Sequence, residues 1–141
     1  MNQSTSLGHA EAQRAIQAIQ AELVKRGKAA VIAVADAHGE LISLLRLDGA
    51  PLPSSVIATN KAWTAARERK PSRELGQAAR DPVTGFDMAY YGDPRYLGWG
   101  GGVPVIVAGA VVGSVAVSGL PEQEDMDLVQ FGVAAILDAL K

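Results

Sequence analysis

The sequence contains no cysteine, only two histidines and few aromatic residues. The absence of cysteine excludes disulfides, thiolate nucleophiles and cysteine-ligated metal sites. Two separated histidines, His9 and His38, do not supply the ligands of a structural zinc, so we expect no metal site. Aromatic residues make up 5% of a chain that is 48% hydrophobic, and the core is therefore expected to consist of Ala, Val, Ile and Leu.

The chain also lacks a strong charge of either sign and any long apolar run. Its formal net charge of -2 gives no electrostatic signal of nucleic-acid binding. No apolar stretch approaches the roughly 20 residues that span a bilayer, and residues 1–8 lack the apolar core of a signal peptide. We therefore expect one cytoplasmic domain over residues 1–141, with no nucleic-acid or membrane partner.

What the sequence does contain is a series of helix and strand signals in the order α-ββ-αα-ββ-α. Apolar residues at three- and four-residue steps predict a first helix over 7–25, with Ser6 as its N-cap and Gly27 at its end. The later helices are predicted over about 54–69, over 72–80 with Ser72 as a cap, and from 121 to the C-terminus. The final helix is expected to bury one face, formed by Met126, Val129, Val133, Ile136, Leu137 and Leu140.

Two pairs of short apolar runs predict the strands. The first pair, 29–35 and 40–47, encloses a turn; the second pair, 103–107 and 111–117, is joined through Ala108-Gly109-Ala110. Pro104 has no N–H for a sheet ladder, so it marks a strand start or an edge strand. The glycine-rich run before it, 98–102, is suited to hold an anion with its backbone amides.

The run 40–47 is apolar on both faces, so both faces should be covered. Helices would cover one face, and a second subunit is expected to cover the other. Since strands and helices do not alternate singly, a Rossmann sheet is disfavoured. The predicted class is α/β in the α+β sense: an antiparallel sheet with packed helices, assembled as a homo-oligomer.

Lys61 and Arg46 are the charged side chains whose surroundings suggest chemistry. Lys61 lies among alanines on a helix expected to pack on the sheet, where a desolvated amine can bind a carboxylate, act as a base or form a Schiff base. The competing interpretation is a structural lysine bridging a carboxylate such as Asp48. Arg46 would likewise pair with a ligand carboxylate or with Asp48.

Aromatic side chains concentrate in one irregular segment before the second hairpin. Tyr90, Tyr91, Tyr96 and Trp99 could line a pocket for a flat ligand by stacking, or could anchor a subunit interface. A pocket that lies at an interface satisfies both interpretations.

Several stretches together resemble the GlcG/HbpS family, which includes the C-terminal domain of PduO. They are Val31 to Leu41, Arg46-Leu47-Asp48-Gly49-Ala50, Lys61-Ala62-Trp63-Thr64-Ala65-Ala66, and Gly101-Gly102-Val103-Pro104 through Ser118-Gly119. The resemblance covers nearly the whole chain and implies a profilin-like fold with a sheet of four to five antiparallel strands, in a homo-oligomer. It places a lysine at position 61, and it makes His9, at the start of the first helix, a candidate axial ligand of haem.

Two functions follow from the residues and the resemblance together. The first is an oligomeric binding protein for haem or another planar aromatic or tetrapyrrole ligand, contacted by Tyr90, Tyr91, Tyr96, Trp99, Gly101, Gly102, Thr64 and His9. In this binding protein, Tyr90 or Tyr91 is an alternative oxygen ligand of the iron.

The second function is that of a cofactor-free lyase acting on a small aromatic carboxylate, similar to hydroxylaminobenzoate lyase. Arg46 or Lys61 would hold the carboxylate there, and a tyrosine or Glu74 would move protons. A third option is an accessory oligomer without catalysis.

Overall fold

A computed structural model describes all 141 residues as a four-stranded antiparallel sheet with helices on both faces. The helices are α1 (His9–Arg26), α2 (Ser54–Glu68), α3 (Ser72–Ala79) and α4 (Glu122–Ala139). The strands are β1 (Val31–Asp36), β2 (Leu41–Arg46), β3 (Gly102–Val107) and β4 (Ala110–Ser118). The predicted fold class and the element order α-ββ-αα-ββ-α are confirmed.

The strand order β2-β1-β4-β3 places the two most buried strands, β1 and β4, in the middle of the sheet. On one face, α1 and α4 pack on a large core, while α2 packs on the other face through the small side chains Ala58 and Ala62. Small residues let the α2 backbone approach the sheet closely. This brings Lys61 next to the ends of β3 and β4.

The second hairpin has the predicted turn and edge. Ala108 and Gly109 connect β3 to β4 with φ angles of 50° and 80°, a conformation suited to a two-residue hairpin turn. Pro104 lies on β3, which is an edge strand and so needs no donor at that position. Val105 is buried and Ile106 is exposed, so the two faces of this strand differ.

Both predicted serine caps are wrong, because the two hydroxyls bind elsewhere. Gly8 is the N-cap of α1, whereas Ser6 Oγ accepts a 2.9 Å hydrogen bond from Ala37 N in the β1–β2 turn. Pro71 is the N-cap of α3. The buried Ser72 hydroxyl instead bonds the glycine-rich run described below.

Of the predicted face of the final helix, Val129 and Ile136 are buried and Leu140 is exposed. The other three residues, Met126, Val133 and Leu137, are half-buried. Leu140 follows the last helical residue, so the helical period no longer directs its side chain toward the core. Leu128 and Gly132 are buried in addition to Val129 and Ile136.

Helices of the same chain cover β2 only in part, so the expectation that a second subunit covers one of its faces stays a prediction. Ile42 and Leu45 pack on the α1–α4 side and Leu44 on the α2 side, all within the same chain. A bulge at Ile42 allows this, because Leu41 and Ile42 together oppose Ala35. None of the helices is both long and apolar enough to cross a bilayer.

Candidate functional site

A buried ion pair between α2 and α4 lies at the base of the first candidate site. Lys61 Nζ donates to Asp125 Oδ2 at 3.2 Å and to the Val117 carbonyl at 2.9 Å. The other carboxylate oxygen of Asp125 accepts from Leu120 N at 3.2 Å. Both charged residues are only 2% exposed.

Burial sets the protonation of this pair. Desolvation lowers the pKa of the Lys61 ammonium below its ordinary value, and the nearby Asp125 charge opposes that shift only in part. Desolvation likewise raises the pKa of the Asp125 carboxyl, against the attraction of Lys61. The two pKa values therefore move toward each other, which makes proton transfer within the pair easier.

The pair lines a cleft of about 330 Å³, hereafter the Lys61 cleft. Its lining residues are Pro51, Pro53, Ser54, Ile57, Lys61, Trp99, Gly100, Ser118, Gly119, Leu120, Glu122 and Asp125. The volume is at the small end of the range of about 300–1,000 Å³ typical of ligand pockets. Charged groups at the base and apolar groups at the walls can hold a small ligand that has one reactive polar group.

Trp99 and Gly100 of the glycine-rich run line the cleft, and Gly101 and Gly102 pack beside them against Lys61. Gly101 has a φ of +125°, and a Cβ there would lie 2.6 Å from the Val117 carbonyl oxygen and 2.8 Å from Lys61 Nζ. Ser72 Oγ donates to the Trp99 carbonyl at 2.7 Å, and Gly102 N donates to Ser72 Oγ at 3.1 Å. Gly100 N donates to the Glu122 carboxylate at 2.7 Å. The run therefore needs glycine and is anchored to α3 and α4.

The four predicted aromatic residues are not gathered in one pocket. Trp99 lines the Lys61 cleft and also shares a separate cavity with Tyr96. Tyr91 and Tyr96 stack on each other with ring centroids 4.5 Å apart, and Tyr90 is exposed beside Tyr91. The ring of Tyr96 also meets Trp63 edge-on.

Tyr91 is bound to the end of α2. Its hydroxyl donates to Glu68 Oε1 at 2.5 Å, and that hydrogen bond raises the pKa of the phenol to about 12. In this structure the phenol is therefore protonated at neutral pH and acts as a hydrogen-bond donor.

Thr64, predicted to contact a ligand, has both hydrogen-bonding functions occupied. Its hydroxyl donates to the Arg95 carbonyl at 3.3 Å and accepts from Leu97 N at 3.1 Å. The buried Thr64 thus fastens the segment before the glycine-rich run to α2. Glu74 is exposed in the first turn of α3 and does not line the Lys61 cleft.

His9 and Arg46 lie in a second region, a groove between α1 and β2. Two adjoining cavities of about 440 Å³ and about 430 Å³ share Gln20 and Leu45 and together form this α1–β2 groove. The first is lined by His9, Gln13, Ile16, Gln17, Gln20, Ile42, Ser43, Leu44 and Leu45. The second is lined by Gln20, Val24, Lys28, Ala29, Leu45, Arg46, Leu47 and Asp48.

The ends of the α1–β2 groove differ chemically. His9 is exposed on the first turn of α1, at one end. Arg46 is exposed at the other end and forms no salt bridge, so the expected Asp48 partner does not bind it. Between them lie apolar side chains and glutamine amides. An imidazole, an apolar floor and a free cation suit a flat ligand that has anionic groups at one edge.

Asp125 is the site residue that sequence reasoning missed. An acidic residue in the first turn of a helix has a sufficient local explanation in the helix dipole. The helical spacing could have identified this residue, because Asp125 is four residues before Val129 and therefore lies on the buried face of α4.

Comparisons with known proteins agree on one family. The family described as "Haem degrading protein HbpS-like" matches residues 7–134. Protein GlcG of Escherichia coli is 36% identical over 103 residues, which are 73% of this chain and 74% of GlcG. The corrinoid adenosyltransferase PduO of Salmonella typhimurium is 30% identical over 106 residues, 75% of this chain but only 32% of PduO.

Two solved structures share the whole fold. The PduOC:haem complex superposes with a TM-score of 0.85 at 25% identity, covering 93% of this chain and 95% of that one. HbpS superposes with a TM-score of 0.81 at 32% identity, covering 95% of this chain and 92% of HbpS.

Proposed function

The chain belongs to the HbpS-like family, and on that premise we propose that it is a haem-binding protein whose ligand lies in the α1–β2 groove. The single observation that carries the proposal is an exposed imidazole, His9, at the end of an apolar groove. Imidazole is a common axial ligand of haem iron. The resemblance to a haem complex, that of PduOC, supports the same ligand class.

The residues of the groove fit haem in three respects. His9 would ligate the iron, and Ile16, Ile42 and Leu45 would contact the macrocycle. Arg46, which has no carboxylate partner in the fold, would pair with the haem carboxylates. His9 and Gln20 are eleven positions apart on α1, so the groove extends about 16 Å along the helix.

We propose further that a second copy of the chain closes the groove. The outer edge of β2 is unpaired, and Leu41 is 46% exposed there. An unpaired apolar edge favours association with another chain. A haem between two copies would make the homo-oligomer and the ligand site interdependent.

Titration of the purified protein with hemin, followed by its visible spectrum, tests the proposal. We expect a saturable Soret band at one haem per subunit or per subunit pair. His9→Ala should remove or shift the band, whereas His38→Ala is the matched control, because His38 is exposed in the β1–β2 turn and lines neither cavity. An unchanged spectrum in His9→Ala would exclude this ligand.

The lyase alternative stays a prediction. The relatives and structures named above are not described as lyases, and its residues are dispersed: Arg46 lies in the α1–β2 groove, Lys61 in its own cleft and Glu74 on the α3 surface.

A further inference from the structure

The Lys61 cleft contains a buried amine that the haem proposal does not use. The cleft and the α1–β2 groove have no lining residue in common. A ligand of the Lys61 cleft would therefore be independent of one bound near His9.

The amine is reached from the cleft and not from the side of Gly101. A Cβ at Gly101 would lie 2.8 Å from Lys61 Nζ, so backbone fills that side, whereas Ser118 and Ile57 line the cleft together with Lys61. The amine donates two hydrogen bonds, to Val117 and Asp125, and both acceptors hold it at the base of the cleft.

The charges of the cleft select against anions. Asp125 and Glu122 both line it, and Lys61 is the only cation in the lining. The nearest further cation, Arg73, is 3.8 Å from the Glu122 carboxylate at the half-exposed rim. A carboxylate ligand would thus meet two acidic groups, which argues against holding an aromatic acid here. An uncharged ligand with apolar surface fits Trp99, Ile57 and the prolines.

We propose that Lys61 is the amine of a second site that condenses with small uncharged aldehydes or ketones, with Asp125 transferring the protons. Lys61 first gives one ammonium proton to the Asp125 carboxylate, so that both groups are neutral. The Nζ lone pair then attacks the carbonyl carbon and forms a C–N bond, while the carbonyl π pair moves to oxygen. Asp125 passes a proton from nitrogen to that oxygen, which gives a carbinolamine. The hydroxyl then leaves as water with the carboxyl proton of Asp125. The products are an iminium at Lys61, an Asp125 carboxylate and one water.

Reductive trapping tests this proposal on the native full-length protein. The protein is incubated with propionaldehyde and cyanoborohydride at neutral pH, and the propylated lysines are located by peptide mapping. Exposed lysines such as Lys70 serve as internal controls in the same digest. We expect Lys61 to be modified at least tenfold faster than Lys70, because desolvation favours its neutral, nucleophilic form. Modification of Lys61 no faster than that of Lys70 would overturn the proposal.

Two further measurements separate chemistry from accessibility. Asp125→Asn removes the group that is proposed to carry the protons. It also removes the negative charge that keeps Lys61 protonated, so an amine that needs no proton carrier would react as fast or faster in this variant. We expect at least a tenfold slower reaction instead.

Should this variant fail to fold, the choice of substrate by the native protein still tests the proposal. Propionaldehyde must trap Lys61 faster than glyoxylate does, and a preference for the anion contradicts the assigned ligand class. His9→Ala should react at the native rate, which keeps this test separate from that of the haem site.

Discussion

Lys61 on α2 and Asp125 on α4 are 64 positions apart in the chain, yet Nζ and Oδ2 are 3.2 Å apart in a nearly solvent-free setting. The ion pair connects helices on opposite sides of the sheet. Because both charges are almost completely removed from bulk water, each depends on the other for compensation. The pair is therefore important for stability, and the proposed chemistry of the cleft depends on it as well.

Removing one member of the pair should destabilise the fold strongly. We expect Lys61→Met or Asp125→Leu alone to lower the free energy of unfolding by about 3–5 kcal/mol, because the remaining charge is buried without a partner. The double variant should recover most of the loss, since two apolar side chains leave no charge uncompensated. Urea denaturation of the four proteins measures the coupling, and additive losses would show that the two groups do not interact.

Glycine at position 101 should be required for the cleft. Gly101→Ala places a Cβ against the Val117 carbonyl at a positive φ, so we expect a loss of about 3 kcal/mol in stability. Gly109→Ala is the matched control. Its φ is also positive, but nothing lies within 4 Å of the added carbon, so it should cost about 1 kcal/mol. Equal losses in urea denaturation would mean that crowding at Gly101 is unimportant.

Tyr91 should ionise unusually late. Its hydrogen bond to the Glu68 carboxylate raises the pKa of the phenol from 10.0 to about 12. Since the folded state holds this proton more tightly than the unfolded state, the bond contributes fully below about pH 10 and is lost as the pH rises through 12. The difference between the tyrosinate absorbance curves of the native protein and Tyr91→Phe isolates this titration. In a Glu68→Gln background, the pKa obtained from this difference curve should move back toward 10.0. A curve that the substitution leaves unchanged would assign the pKa shift to another cause.

Arg46 should contribute to haem affinity but not to ligation. We expect Arg46→Ala to weaken hemin binding about threefold, as is typical of an exposed charge pair, and to leave the position of the Soret band unchanged. Added salt should reduce the difference between the two proteins. Arg80→Ala, an exposed arginine outside the groove, is the control. A shifted band in Arg46→Ala would indicate a change at the iron and contradict the assigned role.

Local patterns were sufficient to predict the elements of this fold. Helical spacing in 7–25, the strand pairs and the alanines of α2 each reflect a preference acting within a few residues, and Gly27 ends α1 in the left-handed conformation as expected. The two serine caps failed because capping competes with tertiary hydrogen bonds. Ser6 and Ser72 each bind a distant segment, and no local pattern shows which partner prevails.

The candidate sites were less predictable, because each combines residues that are distant in sequence. Lys61 was identified from its alanine neighbours, but its partner Asp125 lies on another helix. His9 and Arg46 come together only through the packing of α1 beside β2. The aromatic segment shows the reverse case: Tyr91 and Trp99 are close in sequence, yet they line different cavities, because the segment turns away between them.

The contact between α3 and the glycine-rich run constrains how this protein can diversify. A Cβ at Gly76 would lie 2.2 Å from the Gly98 carbonyl oxygen, and one at Gly98 would lie 2.3 Å from Gly76 Cα. Neither position can acquire a side chain unless two backbones separate, so this contact beside the Lys61 cleft offers selection almost nothing to vary. New ligand preferences must arise in the lining of the cleft itself, at Pro51, Pro53 and Ile57, where substitutions change shape without dismantling the fold. In a directed-evolution experiment on the cleft, substitutions that improve function should therefore accumulate at the start of α2. Substitutions in 98–102 should be lost during selection.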